Sequence, residues 1–355
     1  MELTHLTVRN FRNLAALEVD FPPRGSVVIG DNGQGKTNLL EAVYYLVLFR
    51  SLRGVKDREL VRFGEAGFFV AGTGGCRVTA GYEVAGRRKK VTVDGLPATK
   101  LGDAVGRVLA VSFSPADRAL VAGGPAERRR YLDILLSLSD HGYLEALTAQ
   151  RAALRQRNAA LRRGQTATAW AFDAPFARAA ATVTARRLAW VADRAHRFTQ
   201  LTAALGEPEN AVMEYHVHRG GAADPEAMLA GLGAARDRDT RRGMTTVGPH
   251  RDELRLTLGG HDARLVGSAG QQRTAALGLR LLEAESLTSA HGTTPVALFD
   301  DAFAELDTLR QGRLLGLIAD TLPGQAIVTA PREAEVPEAL LDRPRWRIHG
   351  GRLEA

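Results

Sequence analysis

At 355 residues the chain is too long for one ordinary hydrophobic core, so two structural units are expected. Hydrophobic residues make up 45% and charged residues 25%, which excludes a disordered, collagen-like or disulfide-built chain. The net charge of +7 comes from 47 Lys+Arg against 40 Asp+Glu, only five of them lysines, and points toward a polyanionic partner.

The single cysteine, Cys76, can make neither an internal disulfide nor a Cys-rich zinc site. The N-terminus, Met1 to His5, lacks the basic-then-apolar pattern of a signal peptide. The longest apolar run, Val43 to Phe49, falls far short of the roughly 18 residues that span a bilayer. A cytoplasmic protein without a membrane partner is the expectation.

In chain order, strands are predicted around Leu3–Val8, Leu17–Val19 and Val27–Ile29. The segment Gly30-Asp31-Asn32-Gly33-Gln34-Gly35-Lys36-Thr37 follows the third strand and opens an apolar helix, Leu39 to Phe49. Further strands are predicted at 67–73, 77–84, 90–93 with an Asp94-Gly95 turn, and 108–113. After Gly124-Pro125 the chain becomes rich in Ala, Leu and Arg. Leu144, Leu147, Arg151, Leu154, Asn158 and Leu161 recur at three- and four-residue steps, as do Ala181, Thr184, Leu188, Val191, Ala195 and Phe198. That spacing predicts a short antiparallel, coiled-coil-like hairpin. β/α texture returns near 243. Strands are predicted at Thr245–Val247, Leu254–Leu258, Val296–Phe299, Ala326–Thr329 and Trp346–Ile348, and helices from Gln271 and Leu306. The expected organisation is a discontinuous head, 1–125 plus 243–355, with an inserted helical arm, 126–242.

Gly30-x-x-x-x-Gly35-Lys36-Thr37 is a complete phosphate-loop pattern in its proper strand-to-helix context. Its glycines let backbone N–H groups converge on phosphate oxygens, and the helix N-terminus adds positive dipole character. Lys36 is placed to reach the β- and γ-phosphates of ATP, and the Thr37 hydroxyl to ligate Mg²⁺. The metal also needs a carboxylate at the end of a neighbouring strand. Val296-Ala297-Leu298-Phe299-Asp300-Asp301 supplies one: Asp300 toward Mg²⁺, Asp301 toward the attacking water. Gly267-Ser268-Ala269-Gly270-Gln271 opens a helix just upstream and reads as the signature motif of ABC-type ATPases, with Ser268, Gly270 and Gln271 at the nucleotide. Ala304-Glu305-Leu306-Asp307 reads as their D-loop.

Together with Val8-Arg9-Asn10-Phe11-Arg12-Asn13, Phe113-Ser114-Pro115-Ala116-Asp117, Gly124-Pro125-Ala126-Glu127-Arg128-Arg129 and Gly248-Pro249-His250-Arg251-Asp252, these motifs resemble the RecF family of SMC-related ATPases over essentially the whole chain. The resemblance implies an α/β P-loop NTPase head of ABC/SMC type with an inserted helical second lobe. It implies that Ser268 and Gly270 read the γ-phosphate held by a second copy, so that two ATP molecules are sandwiched in a symmetric homodimer. It further implies a DNA-stimulated ATPase that acts at gapped DNA, with RecO and RecR as partners and RecA loading as the outcome. No role for His250-Arg251-Asp252 follows from the residues, and His216 and His218 read as structural.

Three positions depart from the wider ABC pattern. Asp301 stands where most relatives carry Glu, Ser114 stands near the expected glutamine, and Thr329 stands at the switch-histidine position. An ABC transporter subunit, the competing reading, would carry that Glu and that His. A shorter carboxylate at 301 predicts slow hydrolysis.

The charge is localised. Residues 126–200 hold 13 Arg against six acids, and the rest of the chain is balanced at 34 of each sign. Arg128, Arg129, Arg130, Arg162, Arg163, Arg186 and Arg187 are therefore the expected contacts to a DNA backbone.

Overall fold

The computed structural model describes residues 2–303 and 306–354. Two compact units are present: residues 2–117 with 283–354, and residues 118–282. The expected boundary at 242/243 differs from this partition, because residues 243–282 belong with the helical unit. The reason is strand pairing: Glu253–Leu258 pairs with Ala211–His216, inside the arm.

The first unit begins with β1 (His5–Phe11), β2 (Leu14–Asp20), β3 (Gly25–Ile29) and α1 (Lys36–Leu48). It continues with α2 (Asp57–Leu60), β4 (Gly67–Thr73), β5 (Arg77–Glu83), β6 (Arg88–Val93), β7 (Leu96–Pro97), α3 (Leu101–Ala104) and β8 (Ala110–Phe113). The second unit contains α4 (Ala119–Ala122), α5 (Pro125–Ser139), α6 (His141–Arg162), α7 (Thr166–Ala171), α8 (Asp173–Ala204) and β9 (Ala211–His216). There follow α9 (Pro225–Ala234), α10 (Arg236–Arg242), β10 (Glu253–Leu258), β11 (His261–Asp262) and α11 (Ala263–Val266). Helix α12 (Ala269–His291) returns the chain to the first unit, which closes with β12 (Val296–Asp300), α13 (Thr308–Thr321), β13 (Ala326–Ala330), β14 (Arg345–His349) and β15 (Arg352–Glu354).

Two six-stranded sheets build the first unit. One is antiparallel, in the order β2-β1-β4-β5-β6-β7. The other runs β15-β14-β3-β13-β12-β8, parallel except for the β14–β15 hairpin. Helix α1 packs against strands of both. Its apolar residues go all the way round (Leu39, Leu40, Val43, Tyr44, Leu46 and Val47 are buried), as a helix enclosed on every side requires. The parallel order puts the carboxyl ends of β3, β8, β12 and β13 at one sheet edge, the usual place for ligand loops.

In the second unit Arg157 meets Asp173 while Tyr143 meets Arg187. Contacts that move in opposite directions along α6 and α8 make the two helices antiparallel, as the spacing predicted. The seam itself differs. On α6 the buried positions are Tyr143, Leu147, Gln150, Ala153, Arg157, Ala160 and Leu161, a shift of one residue from Leu144, Arg151 and Asn158. Buried polar side chains carry this seam, so a search for aliphatic periodicity misplaces it.

Two buried arginines organise the unit. The Arg157 guanidinium, fully buried, donates to Asp173 at 2.7 Å and to Asp239 and Thr245 at 2.8 Å. Arg187 donates to Asp133 at 2.6 Å, to the hydroxyls of Tyr143 and Tyr215, and to the carbonyl of Pro249. Asp133 also accepts from Tyr143 and Arg151. Both networks end on the segment 245–252. The backbone N–H of Thr245 donates to Asn158 and that of Thr246 to Asp239, so side chains take the donors that a strand would use. The strand expected at Thr245–Val247 is therefore a loop. Arg129 donates to the Asp252 carbonyl, and Gly248 (φ 122°) lies where a Cβ would come 2.7 Å from the Phe176 ring. The Gly248–Asp252 motif thus has a structural role, tying α5, α8 and β9 together, while Thr245 and Thr246 just before it hold α6 and α10.

These networks correct part of the expected DNA surface. Arg128 is 3% exposed, ion-paired with Glu253 and bonded to the carbonyls of Leu120, Val121 and Gly123. Arg187 is 2% exposed. Neither guanidinium can face a phosphate, because both are consumed inside the fold. Arg129 and Arg130 are half-buried, and Arg186 is exposed but paired with Asp140 at 3.2 Å. Arg162 and Arg163 are exposed.

Removing one member of a buried ion pair strands the other. Arg157→Met should lower the unfolding free energy by about 3–5 kcal/mol, against under about 1 kcal/mol for Arg186→Met, in denaturant titrations followed by tryptophan fluorescence. The His250 ring packs edge-on to Phe176 and bonds the Thr245 carbonyl through Nε2, while its buried Nδ1 has no partner. Burial pushes its pKa down to about 4. Its contribution to stability is therefore complete above about pH 6.5 and falls by about 3 kcal/mol as pH drops to about 4. His250→Gln should flatten that part of the pH–stability curve.

Candidate nucleotide site

The phosphate loop leaves β3 at Gly30 and enters α1 at Lys36. Gly33 (φ 82°) and Gly35 (φ 120°) hold backbone angles that side chains rarely adopt. Gly30 has a second reason: a Cβ there would stand 2.5 Å from the Ile348 carbonyl. The Lys36 ammonium, 4% exposed, curls over the loop and donates to the carbonyls of Gly30 at 2.7 Å and Asp31 at 3.3 Å. A lysine held across its own loop is aimed at the space that phosphates fill.

Thr37 and Asp300 lie 263 residues apart in the chain, yet the Thr37 hydroxyl donates to the Asp300 carboxylate at 2.9 Å. Asp301 stands 3.8 Å from the Lys36 ammonium. Its backbone is left-handed (φ 48°), and its N–H donates to the Thr329 hydroxyl at 3.1 Å. The Thr329 hydroxyl also lies 3.2 Å from the Asp300 carboxylate and 3.4 Å from that of Asp301. Burial raises the Asp300 carboxyl above the usual range, the Thr37 hydrogen bond opposes this, and neighbouring Asp301 adds to it. Asn32, Gly33, Gly35, Lys36, Thr37, Asn38, Arg53 and Asp301 line a cavity of about 290 Å³.

The arrangement fits Mg²⁺ bound together with a phosphate. Thr37 and Asp300 offer one hydroxyl and one carboxylate, both hard oxygen donors. Among the described residues no cluster of three metal-ligating side chains exists, so an all-protein cage is absent. Mg²⁺ characteristically takes one or two protein oxygens and completes its shell with water and substrate phosphate.

Several supporting residues stand in the quoted motifs without an expected role, and others, Gly350 and Gly351, carried no signal at all. Asn13 accepts from the Asn38 amide at 2.8 Å and donates to the Gly33 carbonyl at 3.4 Å. The tip of the β14–β15 hairpin clamps Gln34: Gly350 N–H donates to its side chain at 2.7 Å, and Gly351 N–H to its carbonyl at 2.8 Å. Arg12 pairs with buried Glu41 of α1 at 3.0 Å. Ser114 follows β8, and its N–H donates to Asp117 at 2.6 Å. No sequence period links the C-terminal hairpin to the loop, since only tertiary packing brings them together.

Ser268 lies in the second unit. Its hydroxyl accepts from the Gln271 N–H at 3.2 Å, and the Gln271 side chain accepts from the Ser268 N–H at 3.0 Å, a capping box that starts α12. Ser268 is exposed, Gly270 is partly so, and Leu265 and Val266 just before them are 74% and 58% exposed. Of the expected D-loop, Ala304 and Glu305 lie outside the described residues. Asp307 caps α13 through the Arg310 N–H.

Comparison with known proteins bears on the whole chain. A family model described as an AAA ATPase domain matches residues 1–60. The DNA replication and repair protein RecF of Anaeromyxobacter dehalogenans (strain 2CP-1 / ATCC BAA-258) is 41% identical, covering 99% of this chain and 98% of its own. The chain belongs to the RecF family. The family member from Myxococcus xanthus (strain DK1622) is 37% identical over 99% of this chain and 97% of its own. A solved structure of the recombination mediator RecF with ATP superposes with a TM-score of 0.90 at 29% identity, covering 99% of this chain and 96% of that one. An Smc head bound to the C-terminal winged-helix domain of ScpA shares the fold, with a TM-score of 0.54 at 13% identity. The ABC/SMC-type α/β P-loop fold expected from the motifs is thus shown, and the protein is an ATPase of that class.

Gly35→Ala would strain the loop backbone and press a methyl to 3.0 Å from Asn13 and 3.2 Å from Ile348. A strain of about 1–2 kcal/mol should weaken ATP binding by about five- to thirtyfold, measured by titration with a fluorescent ATP analogue.

Proposed function

We propose that the protein is an ATP-switched recombination mediator that acts on DNA. The observation that carries this reading is the assembly at one sheet edge of Lys36, Thr37 and Asp300, with Thr37 and Asp300 2.9 Å apart. Thr37 and Asp300 would hold Mg²⁺, which supplies positive charge to neutralise the phosphates. Lys36 turns from the carbonyls of Gly30 and Asp31 to the phosphates, and the loop N–H groups cradle them. Asp301, steadied by Thr329, orients the attacking water. Because its carboxylate is one methylene shorter than Glu, hydrolysis is slow and serves to reset the switch.

Each chain carries one phosphate loop and one signature, in different compact units. A two-fold axis would give each nucleotide a loop from one copy and Ser268 with Gly270 from the other. Exposed Leu265 and Val266 beside Ser268 suit a face that a second copy covers. ADP lacks the group that Ser268 would read, so ATP alone favours the dimer. The names of the relatives, DNA replication and repair proteins, and of the structures solved in the RecFOR pathway support DNA as the polyanion and RecO and RecR as partners. We infer RecA loading from the family resemblance alone.

Lys36→Met should abolish ATP binding in the fluorescent-analogue titration. Asp300→Asn should bind ATP but release no phosphate. Ser268→Arg should bind ATP normally yet sediment as a monomer with ATP present. A Ser268→Arg protein that still dimerises with ATP would overturn the sandwich.

A further inference from the structure

Several of the arginines of 126–200 expected to contact DNA are consumed inside the fold. We propose that the arm's DNA contact is a different cluster: Arg162, Arg163, Arg241, Arg242 and Arg251, taking the phosphate backbone of a duplex. The proposal rests on the reading of DNA as the polyanionic partner.

Three segments supply these arginines, and the fold brings them together. Helix α6 ends at Arg162 and α10 ends at Arg242. Gly243 caps α10 in the left-handed region (φ 62°), where a Cβ would lie 3.7 Å from Cγ and 3.9 Å from Cα of Arg162. Met244 follows, and its Sδ accepts from the Arg251 guanidinium at 3.1 Å. Arg241 and Arg242 lie outside 126–200, and Arg251 sits in the Gly248–Asp252 motif.

All five are exposed, and among the described residues none is paired with a carboxylate. Elsewhere in the unit Arg128, Arg151, Arg157, Arg186, Arg187 and Arg236 have acidic partners, while Arg155, Arg178, Arg219 and Arg255 are exposed without one among the described residues; what sets the five apart is that the fold gathers them from three segments. A helix C-terminus stabilises a nearby cation by about 0.3–1 kcal/mol, which accounts for a single arginine per helix. Five unpaired guanidinium groups gathered on one surface repel one another, and an arriving polyanion relieves that repulsion.

Arg251 is also positioned rather than merely exposed. Its N–H closes a turn onto the Gly248 carbonyl at 2.9 Å. On either side, Arg187 holds the Pro249 carbonyl at 2.9 Å and Arg129 the Asp252 carbonyl at 2.9 Å. Buried Arg187 and half-buried Arg129 thus fix the backbone that presents the exposed Arg251. Guanidinium groups suit phosphate oxygens because their fork geometry allows bidentate contacts. Contacts to backbone alone carry no sequence preference.

The test uses the full-length protein with ATP and a fluorescein-labelled random-sequence duplex, followed by anisotropy between about 50 and 200 mM salt. The triple variant Arg241→Gln, Arg242→Gln, Arg251→Gln should reduce the slope of log affinity against log salt by about 2.7, at about 0.9 per lost phosphate contact. It should keep the wild-type melting temperature and ATP affinity. A control triple, Arg87→Gln, Arg178→Gln, Arg313→Gln, removes as much charge from exposed sites elsewhere and should leave the slope unchanged. If the wild type binds duplex and the patch triple keeps its slope, the patch assignment is wrong while DNA binding stands. An equal loss in the control triple also overturns it, as a bulk charge effect. If the patch triple keeps duplex affinity but loses polyglutamate, the surface serves an acidic polypeptide and the proposal fails. A wild type that binds no duplex overturns the DNA reading and the patch with it.

Discussion

Helix α1 is apolar around its whole circumference, and a helix of that kind has to be enclosed. Much of the first unit follows from this requirement. The antiparallel sheet covers one side and the parallel sheet the other, so the orientation of α1 is fixed from both directions. Its first residues are Lys36 and Thr37, and their placement is inherited from the burial of Leu39 to Leu48 behind them. A charged lysine at 4% exposure is tolerable because loop carbonyls accept hydrogen bonds from its ammonium. The nucleotide site is thus the polar end of an otherwise hydrophobic construction.

The second unit is held differently. Arg157 and Arg187 lie where a simpler bundle would place aliphatic side chains. Buried ion pairs seldom surpass well-packed apolar residues in stability, but they impose geometry, because each donor needs its acceptor. Here the acceptors include carbonyls and hydroxyls of the 245–252 segment. Irregular backbone, which cannot satisfy itself as a helix or strand does, is given partners by the helices around it.

Arginine therefore has two roles in this chain that composition cannot separate. Some guanidinium groups are internal fastenings, and others stand in solvent without a partner. Burial separates even adjacent residues: Arg186 is exposed, paired with Asp140, and Arg187 is buried, a consequence of the roughly 100° step between helical neighbours. An Arg-Arg pair in a helix is accordingly poor evidence for a two-residue contact surface.

Local rules made a large part of the molecule legible. The phosphate loop needs a strand, glycines and a helix start in immediate succession, so its residues and its context are contiguous. Strands β3, β12 and β13 are short apolar runs that only a buried parallel sheet accepts. The helix start at Gly267–Gln271 was readable for the same reason. What the sequence could not disclose depended on contacts between distant segments. The α6 seam runs through Gln150 and Arg157, polar residues that periodicity discounts. The Thr245–Val247 segment has strand-like composition but spends its N–H groups on Asn158 and Asp239. The clamp on Gln34 comes from Gly350 and Gly351, more than three hundred residues away in the chain. By itself, then, the sequence determined the ATPase class and the identity of the nucleotide loop, because backbone geometry and phosphate chemistry there are local. Only the tertiary structure decided which arginines remain available to a partner, because availability depends on where every carboxylate and carbonyl of the fold comes to rest.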